Sequence, residues 1–270
     1  MLEYRYGSWA EFYAKTISLP DLKAPWRHSQ REDPRFHGCS LAEAHRMALD
    51  GWLDGAARIN KMSDGIVTAI SPLIERFDVV HEVEGQNLDI ARYLEGDPEC
   101  WMQMVPTRVE GSGPHFFNVV VNNCVSGGCP ASIIETRGAA IVAAVNLLEL
   151  TGARVQLTVV EASEWRTFVR IKRYEDCLDL PMVAYIVGHP SALRVHFFSH
   201  VEVQPDIREF AICGGYGAVR DLPPEEQGDL YVNAAHAGDP RWLAADSARV
   251  WVFDQLGRLG VKLHHQPKIA

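Results

Sequence analysis

Phe116-Phe-Asn-Val-Val-Val121 is the stretch that decides the fold reading of this chain. It is a nearly unbroken run of apolar and β-branched residues, the pattern of a strand buried on both faces. The loop Asn122-Asn-Cys-Val-Ser-Gly-Gly-Cys-Pro130 follows, and a helix is expected from Ala131 to Leu150. Its residues Ile134, Gly138, Ile141, Val145 and Leu148 recur at spacings of three and four, on one face. Thr151-Gly152 ends it, with Gly152 suited to a left-handed cap, and Arg154 to Val160 reads as the next strand. Strand, loop, helix, cap and strand make a βαβ unit, whose two strands run parallel through a right-handed crossover.

Working downstream, strands are expected at Thr167 to Tyr174, Phe210 to Cys213, Asp229 to Asn233 and Val261 to Leu263. Helices are expected at Leu180 to Val187, Ser191 to Val203 and Ser247 to Leu259, the last capped by Gly260. Such alternation implies a mostly parallel sheet with helices on both faces, a three-layer α/β, Rossmann-like domain over residues 113–264. Upstream, Gly111-Ser-Gly-Pro114 is a linker. Residues 79–112 read as a connecting segment with edge strands at Val79 to Val83 and Trp101 to Val105, and a short amphipathic stretch from Asn87 to Leu94. Residues 40–78 form a helical extension: Ser40-Leu-Ala-Glu43 is a capping box, Gly51 favours a break, and Pro72 divides a second helix from Asp64 to Phe77. Residues 1–39 read as an irregular arm, interrupted by Pro20, Pro25 and Pro34 and dotted with Trp9, Phe12, Tyr13 and Trp26. Arms of this composition wrap over a domain or a partner.

The chain has 270 residues, 47 % hydrophobic and 23 % charged, the balance of a globular protein with a sizeable core. A net charge of −9 argues against general nucleic-acid binding and against an anionic membrane. The densest basic cluster, Arg166, Arg170, Lys172 and Arg173, reads as a solvated strand edge. The opening Met1-Leu-Glu-Tyr-Arg-Tyr is mixed and charged, so neither a leader nor a membrane span is expected. Six scattered cysteines then read as reduced thiols in a cytoplasmic protein.

In an open α/β sheet, ligands bind outside the carboxyl ends of the strands. The loop after Val121 sits there, at the start of the longest helix, where backbone donors and the helix dipole meet. Asn122, Asn123, Ser126, Gly127 and Gly128 are therefore the expected contact residues. Asp239, after a late strand, would add a carboxylate at the same edge.

These residues resemble the first strand and loop of a von Willebrand factor A domain, in which Asp-x-Ser-x-Ser holds a divalent cation. The matching positions are Asn122, Cys124 and Ser126, and only the last serine is kept. Asn offers a neutral oxygen and Cys is a poor ligand for a hard cation, so the motif is degenerate. The chain also resembles bacterial and phage proteins with a similar helix and a Gly-Asp-Pro-Glu segment, here Gly96 to Glu99; that likeness implies a virion-associated setting if the protein is phage-encoded.

No complete catalytic spacing is present. A phosphatase loop would need Arg six residues after its cysteine, but Pro130 follows Cys124 and Glu135 follows Cys129 at that distance. Neither a Gly-x-Ser-x-Gly elbow nor a phosphate-binding Gly-x-x-x-x-Gly-Lys-Ser/Thr loop occurs. Cys124 and Cys129 have a clip-like spacing without a second pair, and His196 and His200 lie one helical turn apart, without the neighbouring Glu of a zinc-protease helix.

Three readings follow. The first is a non-catalytic protein-interaction or assembly module, with a protein partner or a second copy as its target and no cofactor. The second is an enzyme using Cys124 at a helix N-terminus, where the dipole would lower the thiol pKa. The third is a divalent-cation module, with Asn122, Ser126, Asp239, His196 and His200 as ligands.

Overall fold

The computed structural model describes residues 2–17, 28–71, 78–84, 87–105, 115–126, 128–209, 216 and 218–261. A five-stranded sheet organises it. In spatial order its strands are β1 (Leu2–Tyr6), β7 (Trp165–Lys172), β6 (Arg154–Ala162), β5 (Phe116–Asn122) and β8 (Leu230–Val232). The pairs β1–β7, β6–β5 and β5–β8 are parallel, and β6–β7 is antiparallel. The expected α/β, mostly parallel sheet is present, and its β5–α6–β6 unit closes as read, with α6 spanning Ala131–Leu150. The antiparallel pair has a local cause. Only Ser163 and Glu164 separate β6 from β7, too few residues for a crossover.

The helices are α1 (Trp9–Ile17), α2 (Pro34–His37), α3 (Leu41–Asp50), α4 (Leu53–Ile70), α5 (Ile90–Leu94), α6, α7 (Leu180–Gly188), α8 (Phe198–Val203) and α9 (Ala245–Arg258). Ser40 caps α3 by accepting a hydrogen bond from the Glu43 amide at 3.2 Å. The chain breaks at Gly51, whose φ of +79° only glycine adopts without strain, and restarts as α4. α4 packs against α6 and α7, so the helical N-terminal region is joined to the sheet domain.

Two expectations are corrected. The first concerns helices on both faces. Val119, Val121, Val155, Leu157 and Val159 point into the main core beneath α4, α6, α7 and α9. On the opposite side, Val120, Val160, Ala162 and Phe168 form a small separate cluster with Leu222, and no described α-helix covers them. Only β5–α6–β6 directly joins adjacent parallel strands, so the handedness rule fixes the side of one helix alone. α6 lies inside the helical layer and is apolar almost all round. By length and composition it could cross a bilayer, yet its most apolar window is 72 % buried, as in a core helix.

The second correction concerns the N-terminal arm. Leu2–Tyr6 is an edge strand of the main sheet, and α1 buries Trp9, Phe12 and Tyr13 in the core. Leu2, Tyr4 and Tyr6 alternate with Glu3 and Arg5, which is a strand's period of two. The rest of the arm from 18 to 27, with Trp26, lies outside the described residues, as do the 111–114 linker, residues 72–77 and the expected strands at Phe210 to Cys213 and after Val261.

A second, three-stranded antiparallel sheet has the order β2 (Asp78–Glu82), β4 (Trp101–Val105), β3 (Asn87–Leu88). Among the described residues its strands pair only with each other, and α5 lies between β3 and β4 in the chain.

Candidate functional site

The carboxyl edge of β5 was the expected site, and its polar groups are turned inward. Asn122 is fully buried. Its Nδ2 donates to the Arg220 carbonyl at 2.8 Å and to the Tyr231 hydroxyl at 3.1 Å, while its Oδ1 accepts from the Cys124 amide. Asn123 is buried, and its Nδ2 donates to the Ile186 carbonyl at 3.0 Å. The loop after β5 is zipped to the loop after β8. Ser126 donates its amide to the Ala235 carbonyl, Ala235 donates to the Cys124 carbonyl, and the Ala237 amide donates to Ser126 Oγ. Ser126 and Gly128 remain at the surface, and Gly127 lies outside the described residues.

The crevice at the strand ends is filled by Arg137 of α6. Its Nη2 donates to the carbonyls of Asn122 at 2.6 Å, Asn233 at 2.9 Å and Val232 at 3.3 Å, tying the ends of β5 and β8 together. No carboxylate pairs with it among the described residues, and its Nε and Nη1 have no acceptor there. Burial pulls its pKa down to about 10. Asp239 is also buried but belongs to Arg241, which grips both of its oxygens at 3.0 and 2.7 Å. Burial opposes ionisation of Asp239, and the Arg241 contacts overcome it, so the carboxyl sits below its usual range.

Cys124 does not have the environment of a nucleophile. Desolvation, with the nearby Glu161 carboxyl, pushes its thiol well up rather than down, and Sγ donates only to the Ala162 carbonyl at 3.7 Å. Glu161 is buried too, and burial raises its carboxyl to about 8 despite a hydrogen bond from Trp165 Nε1 at 3.3 Å.

The two histidines expected on one face do not converge. Residues 192–197 are wound as a π-helix, which changes the spacing along the turn. His196 lies 2.8 Å from the Tyr185 hydroxyl, and His200 lies 2.8 Å from that of Tyr6 on β1. Burial drives both imidazoles down to about 3, so each is a neutral core group. Among the described residues no three His, Cys, Asp or Glu side chains gather as a metal site.

A cavity of about 330 Å³ remains beyond the end of β8, lined by Arg220, Asp221, Asn233, His236 and Arg241, and three further surfaces lie open elsewhere among the described residues. On the helix-free face, a basin of about 350 Å³ has Asn118, Gln156, Thr158, Phe168 and Arg170 in its floor. Gly228 forms its wall at φ +67°; a Cβ there would meet the Asn118 carbonyl at 2.5 Å. The charges around this basin largely cancel. Arg166 pairs with Glu226, and Arg5 pairs with Glu3 at 2.5 Å. The basic cluster expected from the sequence is split as well, since Lys172 turns into the core to bond Glu149 at 2.7 Å.

The second surface is a groove of about 630 Å³ on the helical side, between α4, α6 and α9. Met62, Ile66, Gly65 and Ala245 give it an apolar bed, and Arg58, Lys61 and Arg249 give it a basic rim. Glu135 and Asp246 pair with Arg58 and Arg249, each at 3.2 Å, which leaves Lys61 without a partner among the described residues.

The third surface is α5 with its sheet. Ile90, Tyr93 and Leu94 are 67 %, 60 % and 78 % exposed, and Val83 and Trp101 join them at the surface. Glu82, Glu84, Glu95 and Glu99, on the segments that flank α5 in the chain, are exposed, while Arg92 is tied to Asp97 at 3.4 Å.

A family model described as a domain of unknown function (DUF7192) matches residues 1–261. The chain belongs to the DUF7192 family. No curated protein and no solved structure matches it.

The DUF7192 match runs through the main sheet, the groove and the α5 sheet alike. Two features of this DUF7192 chain escaped the sequence reading although each left a trace. Arg137 is the one basic residue of an apolar helix and is followed by eleven uncharged residues, which marks a buried charge in need of acceptors. Ile90, Tyr93 and Leu94 fall at i, i+3 and i+4, a stripe too short to register as an anchor face.

Proposed function

We propose that this protein is a non-catalytic assembly module whose contact surface is the apolar, acid-rimmed face of α5. One observation carries the reading: three large apolar side chains at helical spacing, Ile90, Tyr93 and Leu94, stand more than half exposed on one short element. Apolar side chains grouped this way mark a docking surface, while scattered ones are ordinary. The contact chemistry is burial of those anchors, with the surrounding carboxylates setting which partner fits. Burying three such side chains contributes about 1.5–3 kcal/mol each, against an association cost of about 4–15 kcal/mol. The anchors alone therefore support only a weak contact, with Kd on the order of 0.2 mM at best.

The nucleophile reading has no support in the raised thiol of buried Cys124. For a cation, Asn122 and Asp239 have their side-chain oxygens committed to amide and guanidinium donors.

Sedimentation velocity from about 1 to 200 µM tests the proposal. The expected result is concentration-dependent association that Leu94→Asp, folded by near-ultraviolet circular dichroism, weakens at least tenfold. A wild-type chain that stays monomeric throughout, or a variant that associates equally well, sinks it.

A further inference from the structure

We infer that the α5 face of one copy docks into the α4–α6–α9 groove of a second copy. This rests on the assembly reading above and names both the receiving surface and the partner. The two surfaces are alike in apolar character and opposite in the charge beside it. The α5 face is apolar with an acidic surround, Glu82, Glu84, Glu95 and Glu99. The groove is apolar with a rim of three bases and two paired acids, in which, among the described residues, exposed Lys61 has no counter-charge and the buried Arg249 Nε has no acceptor. Anchors at i, i+3 and i+4 are the spacing with which a helix fills a groove between other helices. The groove is open in depth as well: a Cβ added at Gly65 in its bed meets nothing within 4 Å. The basin on the other side of the sheet fits less well, since its floor is largely amide and hydroxyl and it carries the acid Glu225 besides the base Arg170.

The net charge of −9 makes two copies repel at long range. That repulsion is screened beyond about 8–10 Å at physiological salt, whereas the apposed carboxylates and ammonium lie within contact distance. Because the two patches differ, the contact is heterologous. It closes only if each copy both gives its α5 and receives one; otherwise it extends into a chain.

Two folded variants and their mixture form the test, read by sedimentation velocity. Ile90→Ser with Leu94→Asp spoils the inserting face and leaves the groove. Lys61→Glu with Gly65→Glu fills and recharges the groove and leaves α5. Each variant alone is expected to raise the dissociation constant at least tenfold, and an equimolar mixture is expected to recover a 1:1 dimer, because each copy supplies the surface the other lacks. If the wild type associates and the α5 variant does not, but the groove variant associates like wild type or the mixture stays monomeric, the groove is not the receiving surface and only the assembly reading survives. If the wild type is monomeric at every concentration, both fall together.

Discussion

Glu161 shows how one residue can set a pH dependence. Its carboxyl titrates near 8 in the fold, above the ordinary value of 4.5, because burial favours the neutral form. Below pH 4.5 the folded and unfolded states are both protonated, and the group contributes its full stability. As pH rises toward 8 the unfolded chain releases the proton while the fold keeps it, so stability falls by up to about 1.4 kcal/mol per pH unit. Above 8 the loss levels off. Glu161→Gln keeps an oxygen for Trp165 Nε1 and removes the titration. Urea unfolding should therefore find the variant and wild type alike near pH 4.5 and the variant more stable at pH 8. A gap that does not change with pH would contradict this. His196 and His200 act at the other end. Their depressed pKa values, near 3, give stability that is present above about 6.5 and is lost as pH falls toward 3. Neither effect was legible from the sequence. A Glu at the penultimate position of an apolar strand and two histidines four residues apart carry no local mark of what will enclose them.

At the scale of elements, α6 and β5 were readable and the junction between their ends was not. The apolar run, the Pro130 boundary and the Gly152 cap are local chemistry, and α6 spans Ala131–Leu150 as expected. The crevice at the end of β5 is closed by Arg137, which reaches carbonyls on two strands that lie far apart in sequence. Arg137→Ala should leave those carbonyls without donors and open a void, destabilising the fold by about 3–5 kcal/mol. Equilibrium urea unfolding measures this, and a loss under 1 kcal/mol would show that the strand ends do not depend on it. Asn122, Asn123 and Asp239 are likewise engaged within the chain: Asn122 with Arg220, Tyr231 and Cys124, Asn123 with Ile186, and Asp239 with Arg241.

For the molecule as a whole, the N-terminal residues are the largest departure from expectation. An arm that wraps a partner could be removed without harm to the domain. Here residues 2–17 supply an edge strand beside β7 and the buried Trp9, Phe12 and Tyr13. Losing three buried aromatics forfeits about 5–9 kcal/mol, comparable to the whole stability of a domain. Deleting residues 2–17 should thus abolish cooperative thermal unfolding and the near-ultraviolet circular dichroism signal. A truncated chain with a sharp transition would return these residues to the status of an appendage.

The sequence by itself determined the βαβ centre, the capped helices and the absence of a complete catalytic spacing, because periodicity, capping and motif spacing act over a few neighbouring residues. The tertiary structure alone decided that the described helices packed on the main sheet gather on one side of it, that the opening strand joins it, that Arg137 fills the crevice at the ends of β5 and β8, and that no helix among the described residues covers the apolar side chains of α5. Each of these depends on which distant groups come to share a dielectric or a hydrogen bond, and only the folded chain fixes that.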